Sequence, residues 1–254
     1  MEINLMGLSF RNRRSLWVFP IASLAFILLF LGPLGTKFEL FDYQLGLLML
    51  AVAFVLSALM LIVELVILLK RFLAKESIKS SFDLHPIFLG LFVLLAIFSQ
   101  LLPAVGAPAI HNISTNTTPA PGFDKARSLR EILDSNPLEY RSNPKNAELQ
   151  KQTYPELLPH VSHLRAEELV RKAELILSEM EIEVINLDLE NLRIEAVATS
   201  FWFGFEDDVL VQVRDYDNAS IAEIRSVSRV GLSDLGKNAS RIRKILAKLD
   251  QDKT

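Results

Sequence analysis

Three long apolar runs decide most of what this chain can become. Residues 16–34, 45–69 and 84–102 are dominated by Leu, Ile, Phe, Val and Ala. Each is close to the ~20 residues a helix needs to cross ~30 Å of hydrocarbon, so the pattern predicts three transmembrane helices. An odd number of crossings puts the two ends of the chain on opposite sides. Arg11, Arg13 and Arg14 precede the first run, and Lys70, Arg71, Lys75 and Lys79 separate the second from the third. The loop 35–44 has only Lys37, and no basic residue follows the third run until Lys125. Positive charge collects on the cytoplasmic side, which orients the N-terminus to the cytoplasm and the C-terminal half outside it, periplasmic or otherwise extracytoplasmic, on an inner (plasma) membrane. The first run is long for a signal-peptide core and no small-x-small site follows it, so it reads as a retained anchor.

Polar residues within the runs need a reason to be there. Glu64 stands six residues before Lys70, about 9 Å along a helix. Snorkelling to the headgroups or an interhelical contact is the expected use, with a proton relay or transport role as the alternative. Ala53 and Ser57 have the small-xxx-small spacing that lets helices approach closely.

Beyond residue 102 the character changes. From Pro103 onward the chain carries 19 Lys and Arg against 24 Asp and Glu. An acidic half of this kind lacks the concentrated basic face that nucleic acid requires. The chain has no cysteine, which excludes disulfides, thiolate metal sites and a cysteine nucleophile. Residues 105–163 are punctuated by prolines that forbid long helices; only Ala126–Ser135, with Leu129, Ile132 and Leu133 on one side, suggests a short one. The apolar residues Ile110, Ile113, Phe123, Tyr140 and Tyr154 favour a segment draped over a domain rather than a solvated linker. Asn-x-Ser/Thr triplets start at Asn112, Asn116, Asn218 and Asn238.

Residues 164–254 read as the domain proper. Ala166, Leu169, Val170, Ala173, Ile176, Leu177 and Met180 recur at helical spacing. The period then drops to two over 182–187, 192–205, 209–214 and 221–230, with turns at Asp188–Asn191 and at the acidic Glu206–Asp208. Strict alternation puts Val197, Thr199, Phe201, Phe203 and Phe205 on one face, the natural floor of a core. A closing helix follows, with Ser233 as N-cap, Asp234 in its first turn, Leu235, Ala239, Ile242, Ile245, Leu246 and Leu249 buried, and Lys237, Arg241, Lys244 and Lys248 outward. The expected fold class is therefore α+β. Three transmembrane helices (1–104) precede a Pro-rich extended segment (105–163) and an antiparallel four-stranded meander flanked by two amphipathic helices (164–254).

The strings HNISTNTTPAPGF, RIEAVATSFWFGFEDDVLVQV and IRSVSRVGLSDLGKNASRIRKIL resemble the domain-of-unknown-function 1499 family of bacteria and plants, over roughly Ala107 to Leu249. The resemblance implies an exported or membrane-anchored domain and brings no activity with it. Asn112 and Asn116 stand where that family commonly has Asp, and Gln212 where it often has Arg.

Chemistry concentrates near the end of the last strand. Arg225, Ser226, Ser228 and Arg229 are followed at once by Ser233, Asp234 and Gly236 at a helix start. Alternation places the two arginines on one face and the two serines on the other, so they cannot all address one small ligand without a bulge. A helix N-terminus suits an anion, and Gly236 lets a ligand or a backbone come close. The binding reading therefore names Arg225, Ser228, Arg229, Ser233, Asp234 and Gly236 as contacts to an anionic ligand, such as a lipid headgroup or an envelope component. The structural reading pairs the arginines with Asp207, Asp208 and Glu223 and leaves Asp234 as a cap.

Catalytic readings have less to work with. His160 and His163 are spaced i,i+3, yet no acid completes a zinc pattern, so neither metal nor cofactor is expected. There is no G-x-S-x-G elbow and no phosphate loop. Glu206, Asp207 and Asp208 at a hairpin tip suit solvated turn residues better than glycosidase acids. The expectation is a non-catalytic binding or assembly module held at the lipid bilayer, for an anionic ligand or an envelope protein. Its rivals are a hydrolase using Asp207, Asp208 or the histidines, and a subunit of a membrane transport complex.

Overall fold

The computed structural model describes residues 10–75, 84–131, 135–140 and 144–251. It divides into two compact units, one of residues up to 102 together with Trp202–Gly204, the other of the remaining chain. Lys79, Ile132 and Leu133 lie outside the described residues, as do the side chains of Arg11, Arg13 and Arg14.

The first unit contains α1 (Phe10–Lys37), α2 (Tyr43–Leu73) and α3 (His85–Leu101). Two stretches, Trp17–Lys37 and Tyr43–Leu73, are long and apolar enough to cross a membrane. The third apolar run makes a helix of only 17 residues, about 26 Å at 1.5 Å per residue against ~30 Å of hydrocarbon. The expectation of three full spans is corrected to two membrane-length helices and a shorter apolar one. Its bounds have local causes. Pro86 sits at the helix start, where its missing N–H costs nothing, and Leu102–Ala104 tighten into a 3-10 turn around Pro103.

Small residues set the packing of this unit. A Cβ added at Gly32 would lie 2.6 Å from the Gly46 carbonyl oxygen, so α1 and α2 cross at backbone contact. Ala25, Ala53 and Ser57 are fully buried, and Phe54 meets Phe98 edge to face across α2 and α3. Glu64 shares this inner face of α2 and is only 3% exposed. It therefore turns onto the helices, and the snorkelling expectation gives way to burial.

The second unit is built on one antiparallel sheet of six strands, not four. In chain order these are β1 (Asn112–Ser114), β2 (His160–Ser162), β3 (Glu183–Asp188), β4 (Arg193–Thr199), β5 (Glu206–Tyr216) and β6 (Ala219–Ser228). The spatial order is β1-β6-β5-β4-β3, with β2 also paired to β6. Helices α4 (Lys125–Arg130), α5 (Pro144–Thr153), α6 (Ala166–Glu179) and α7 (Lys237–Asp250) complete it. The two added strands come from the Pro-rich segment, and each is too short for a period-two pattern to show.

Both faces of the sheet are covered. On one, α6 and α7 bring Leu169, Val170, Ala173, Leu177, Ala239, Ile242 and Ile245 onto Ile194, Ala196, Ala198, Val209, Val211, Ala222 and Ile224. These side chains are 0–6% exposed, and truncating one of the larger ones to Ala costs ~2–5 kcal/mol. On the other face Phe123, Ala126 and Leu138 of the Pro-rich segment pack on Leu210 and Val227. Ile110, Ile113, Tyr140 and Tyr154 are buried as well.

Two strand expectations are corrected. β4 stops at Thr199, because the Ser200 hydroxyl accepts the Phe205 N–H and Gly204 takes a φ of +70°, folding residues 200–204 into a turn. Phe201 is consequently 81% exposed and no part of the core floor, which β4 supplies from Ile194, Ala196 and Ala198 instead. The acidic residues are not a turn. Glu206, Asp207 and Asp208 open β5, opposite Thr199, Ser228 and Val227.

Candidate functional site

The last residues of β6 divide between the two faces, as alternation requires. On the face toward the Pro-rich segment, Arg225 is 3% exposed. Its Nε donates to Asn112 Oδ1 at 3.1 Å and one terminal nitrogen to the Pro121 carbonyl at 2.6 Å, while the other donates to the Leu138 carbonyl. The guanidinium carbon lies 5.2 Å from the centre of the Phe123 ring and 5.6 Å from that of Tyr140. Burial pushes this arginine down to about 10, and raises the Tyr140 hydroxyl to about 12. A cation enclosed by two rings and three oxygens from separate stretches of chain is a strut.

Arg229 works on the same face with a different partner set. It donates to Asp208 Oδ1 at 2.8 Å and pairs with Glu206, and Arg130 donates to Asp208 Oδ2 at 2.6 Å. Burial works against the Arg229 cation, but the two carboxylates hold its pKa above the ordinary value. Arg130, whose pKa burial lowers, also donates to the Asn136 and Val227 carbonyls. One carboxylate, Asp208, thus joins a residue of α4 to one of the β6 terminus. Nearby, the buried Glu195 of β4 accepts the N–H groups of Asp124, Lys125 and Ala126 at 2.8–3.0 Å and so holds the first turn of α4.

On the helix face a second network forms around Asn238, which is fully buried. Its Nδ2 donates to Ser228 Oγ at 2.9 Å and to the His111 carbonyl at 3.1 Å. Its Oδ1 accepts from Ser226 Oγ at 2.6 Å and from Arg241. Arg241 also donates to Asp207 at 2.7 Å. The sequence reading put Arg241 on the outer face of α7; the structure turns it to the sheet, because Asp207 stands one strand away.

The start of α7 is corrected too. The helix begins at Lys237, with Gly236 left-handed at φ 79°. Asp234, not Ser233, caps it, accepting the N–H groups of Gly236 and Asn238 at 2.8 and 2.7 Å. Ser233 Oγ accepts the Leu235 N–H and donates to the Pro108 carbonyl at 3.5 Å, and Leu235, at φ 54°, is outside the helix and 39% exposed. Burial raises the Asp234 carboxyl above its usual range, with Asp207 adding to the shift and the two N–H bonds and Arg241 opposing it. The donors expected to receive an external anion already hold an internal one.

Of the six residues named for a ligand, Asp234 and Gly236 therefore form the cap, Ser233 belongs to the turn before it, Ser228 to the Asn238 network, and Arg225 and Arg229 lie on the opposite face. Asn238, Arg241, Arg130 and Glu195 were missed. Asn238 and Arg241 have a signal, an i,i+3 pair at a helix start; Arg130 and Glu195 have none, since their partners are distant in sequence. His160 and His163 do not share a helix turn either. His160 is buried in β2 with Nδ1 3.2 Å from Asp250 Oδ1, and His163 follows the strand.

A family model described as a protein of unknown function, DUF1499, matches residues 115–249. That span covers more than half of the chain and takes in both networks except Asn112 and His111. The chain belongs to the DUF1499 family. Within the matched residues lie β2–β6, α4–α6, α7 up to Leu249 and both faces of the β6 terminus, so the DUF1499 portion is the sheet domain without β1, and the apolar helices are outside it. Comparison with curated proteins finds no matching relative.

Proposed function

We propose that this DUF1499 protein is a non-catalytic assembly module, anchored in the inner membrane and displaying its sheet domain outside the cytoplasm. One observation carries the reading: at the β6 terminus the charged and polar groups that could have served a substrate are engaged with one another. Asp207 is held by Arg241, Asp208 by Arg130 and Arg229, and the α7 N-terminus by Asp234. Such a network gives a rigid surface. A small anion would have to displace an internal carboxylate to enter, so the partner we favour is an envelope protein rather than a free ligand. The membrane anchoring is supported by the two membrane-length helices. A further crossing by the shorter apolar α3, putting the sheet domain on the side opposite a cytoplasmic N-terminus, is supported by the basic residues at 11–14 and 70–79.

Native mass spectrometry of the full chain, gently extracted from the membranes of its own host, tests this. The expected spectrum holds a complex with a second protein in fixed stoichiometry. A retained small-molecule mass that Arg241→Ala removes would overturn the reading in favour of a ligand site, and a lone chain with neither would overturn assembly.

A hydrolase reading has one observation in its favour. The His160–Asp250 pair sits beside a groove of about 440 Å³ whose walls include Glu156, Leu158, Val161 and Arg243. Turnover of ester or glycoside substrates that His160→Gln abolishes, with the fold intact, would establish it.

A further inference from the structure

One end of the sheet collects three features that are far apart in sequence. Asn112 of β1 lies opposite Val227 of β6, Asp207 of β5 opposite Ser228, and Thr199 of β4 opposite Glu206. The stretch leading into β1, the β4–β5 turn and the β6–α7 loop therefore all emerge together. The most exposed large apolar side chain of each is Val105 (81%), Phe201 (81%) and Leu232 (84%). The next most exposed in the same unit are Leu175 (65%) and Leu158 (64%), on other parts of its surface. Neither Phe201 nor Leu232 is in a helix or strand whose buried face could excuse it. The loop backbones are committed, since Gly204, Gly231 and Leu235 all have positive φ, so these side chains are held outward in defined turns. Val105 follows Leu101, the last residue of the apolar α3, by only four positions in sequence. Exposed Lys237 stands next to the rim.

We infer that Val105, Phe201 and Leu232 form a rim that docks the sheet domain onto the lipid bilayer, its apolar tips entering the boundary between headgroups and acyl chains. This rests on the membrane anchoring proposed above. Exposed aromatic and aliphatic tips are unfavourable in water at ~25 cal/mol per Å² and suit that boundary, and a lysine beside them suits anionic headgroups. The tether keeps the local lipid concentration high, so three side chains suffice where a free protein would need more.

The test uses the full chain in nanodiscs with phospholipids brominated near the headgroup. The chain has two tryptophans, Trp17 and Trp202. In a background of Trp17→Phe with Trp202→Phe, single reporters are introduced as Val105→Trp, Phe201→Trp, Leu232→Trp and, as a control, Leu175→Trp. All four positions are exposed, so the fold tolerates the larger ring. Bromolipid is expected to remove most of the emission of the first three and to shield them from aqueous iodide, with the reverse for the control. Iodide quenching of the Phe201→Trp and Leu232→Trp reporters to the level of the control overturns docking. Protection from both quenchers also overturns it, in favour of a protein cover. A separate chain retaining only Trp17 checks the anchoring: bromolipid quenching there, with none at the rim, refutes docking alone, and no quenching at Trp17 refutes the anchoring.

Discussion

Replacing Arg225 with Met separates a strut from a ligand contact. The substitution leaves three acceptors, Asn112 Oδ1 and the carbonyls of Pro121 and Leu138, without their donor. At ~1–2 kcal/mol for each buried acceptor left unmet, that costs ~3–6 kcal/mol. Losing the contacts to Phe123 and Tyr140 adds ~2 kcal/mol. Against this stands the relief of a buried charge. Holding the guanidinium at about 10 rather than 12.5 corresponds to ~3 kcal/mol. The folded pKa is depressed, so that burden is felt in full below the folded value and is recovered only as pH rises past it; a measurement at neutral pH includes all of it. The balance is a loss of ~2–5 kcal/mol. Urea unfolding of the full chain in detergent, followed by circular dichroism, reads the loss, and limited proteolysis reads whether residues 119–140 have come free of the sheet. Arg225→Lys should fail in the same way, because one ammonium cannot span three acceptors set by a planar fork. An Arg225→Met protein within ~0.5 kcal/mol of the parent, its 119–140 segment still protected, would refute the account.

Other expectations follow from the same geometry. Gly32→Val drives a Cβ against the Gly46 carbonyl and should lower the thermal stability of the helical unit in detergent by ~1–3 kcal/mol. Because burial raises the folded pKa of Asp234, the stability it contributes is present below the ordinary carboxyl value and lost as pH rises through the folded one. A urea-midpoint series over pH 3–8 should therefore show a decline that Asp234→Asn removes. Glu195→Gln leaves one oxygen for the three N–H groups that α4 directs at it, and should cost ~1–3 kcal/mol while speeding amide exchange at residues 124–126. Asn238→Ala strips partners from Ser226 and Ser228 and should cost ~2–3 kcal/mol in the same unfolding assay.

How legible all this was depended on range. The amphipathic faces of α6 and α7 are local periodicities, and Leu169, Val170, Ile242 and Ile245 fall inside as their spacing says. β4 misled because FWFGF keeps alternating after the strand has ended; a serine hydroxyl and one glycine dihedral, not hydropathy, stop it. Asp207 and Asp208 looked like solvated turn residues because their partners are Arg241, 34 positions away, and Arg130, 78 away. The third apolar run carries the right composition for a span but ends early, at a proline-bearing turn. Strands β1 and β2, three residues each, are strands only because β6 lies beside them.

The position of β6 also sets a schedule. It pairs with β5 along one edge and with both β1 and β2 along the other, and Asn112 must wait for Val227, 115 residues later. At ~5–20 residues per second that is roughly 6–23 s of synthesis in which Ile113 and its neighbours are exposed with nothing to pair with. Until the C-terminal part emerges, the segment after the last apolar helix is a sticky unfolded chain, open to proteases and to holding chaperones. Truncation anywhere before residue 228 leaves it so permanently.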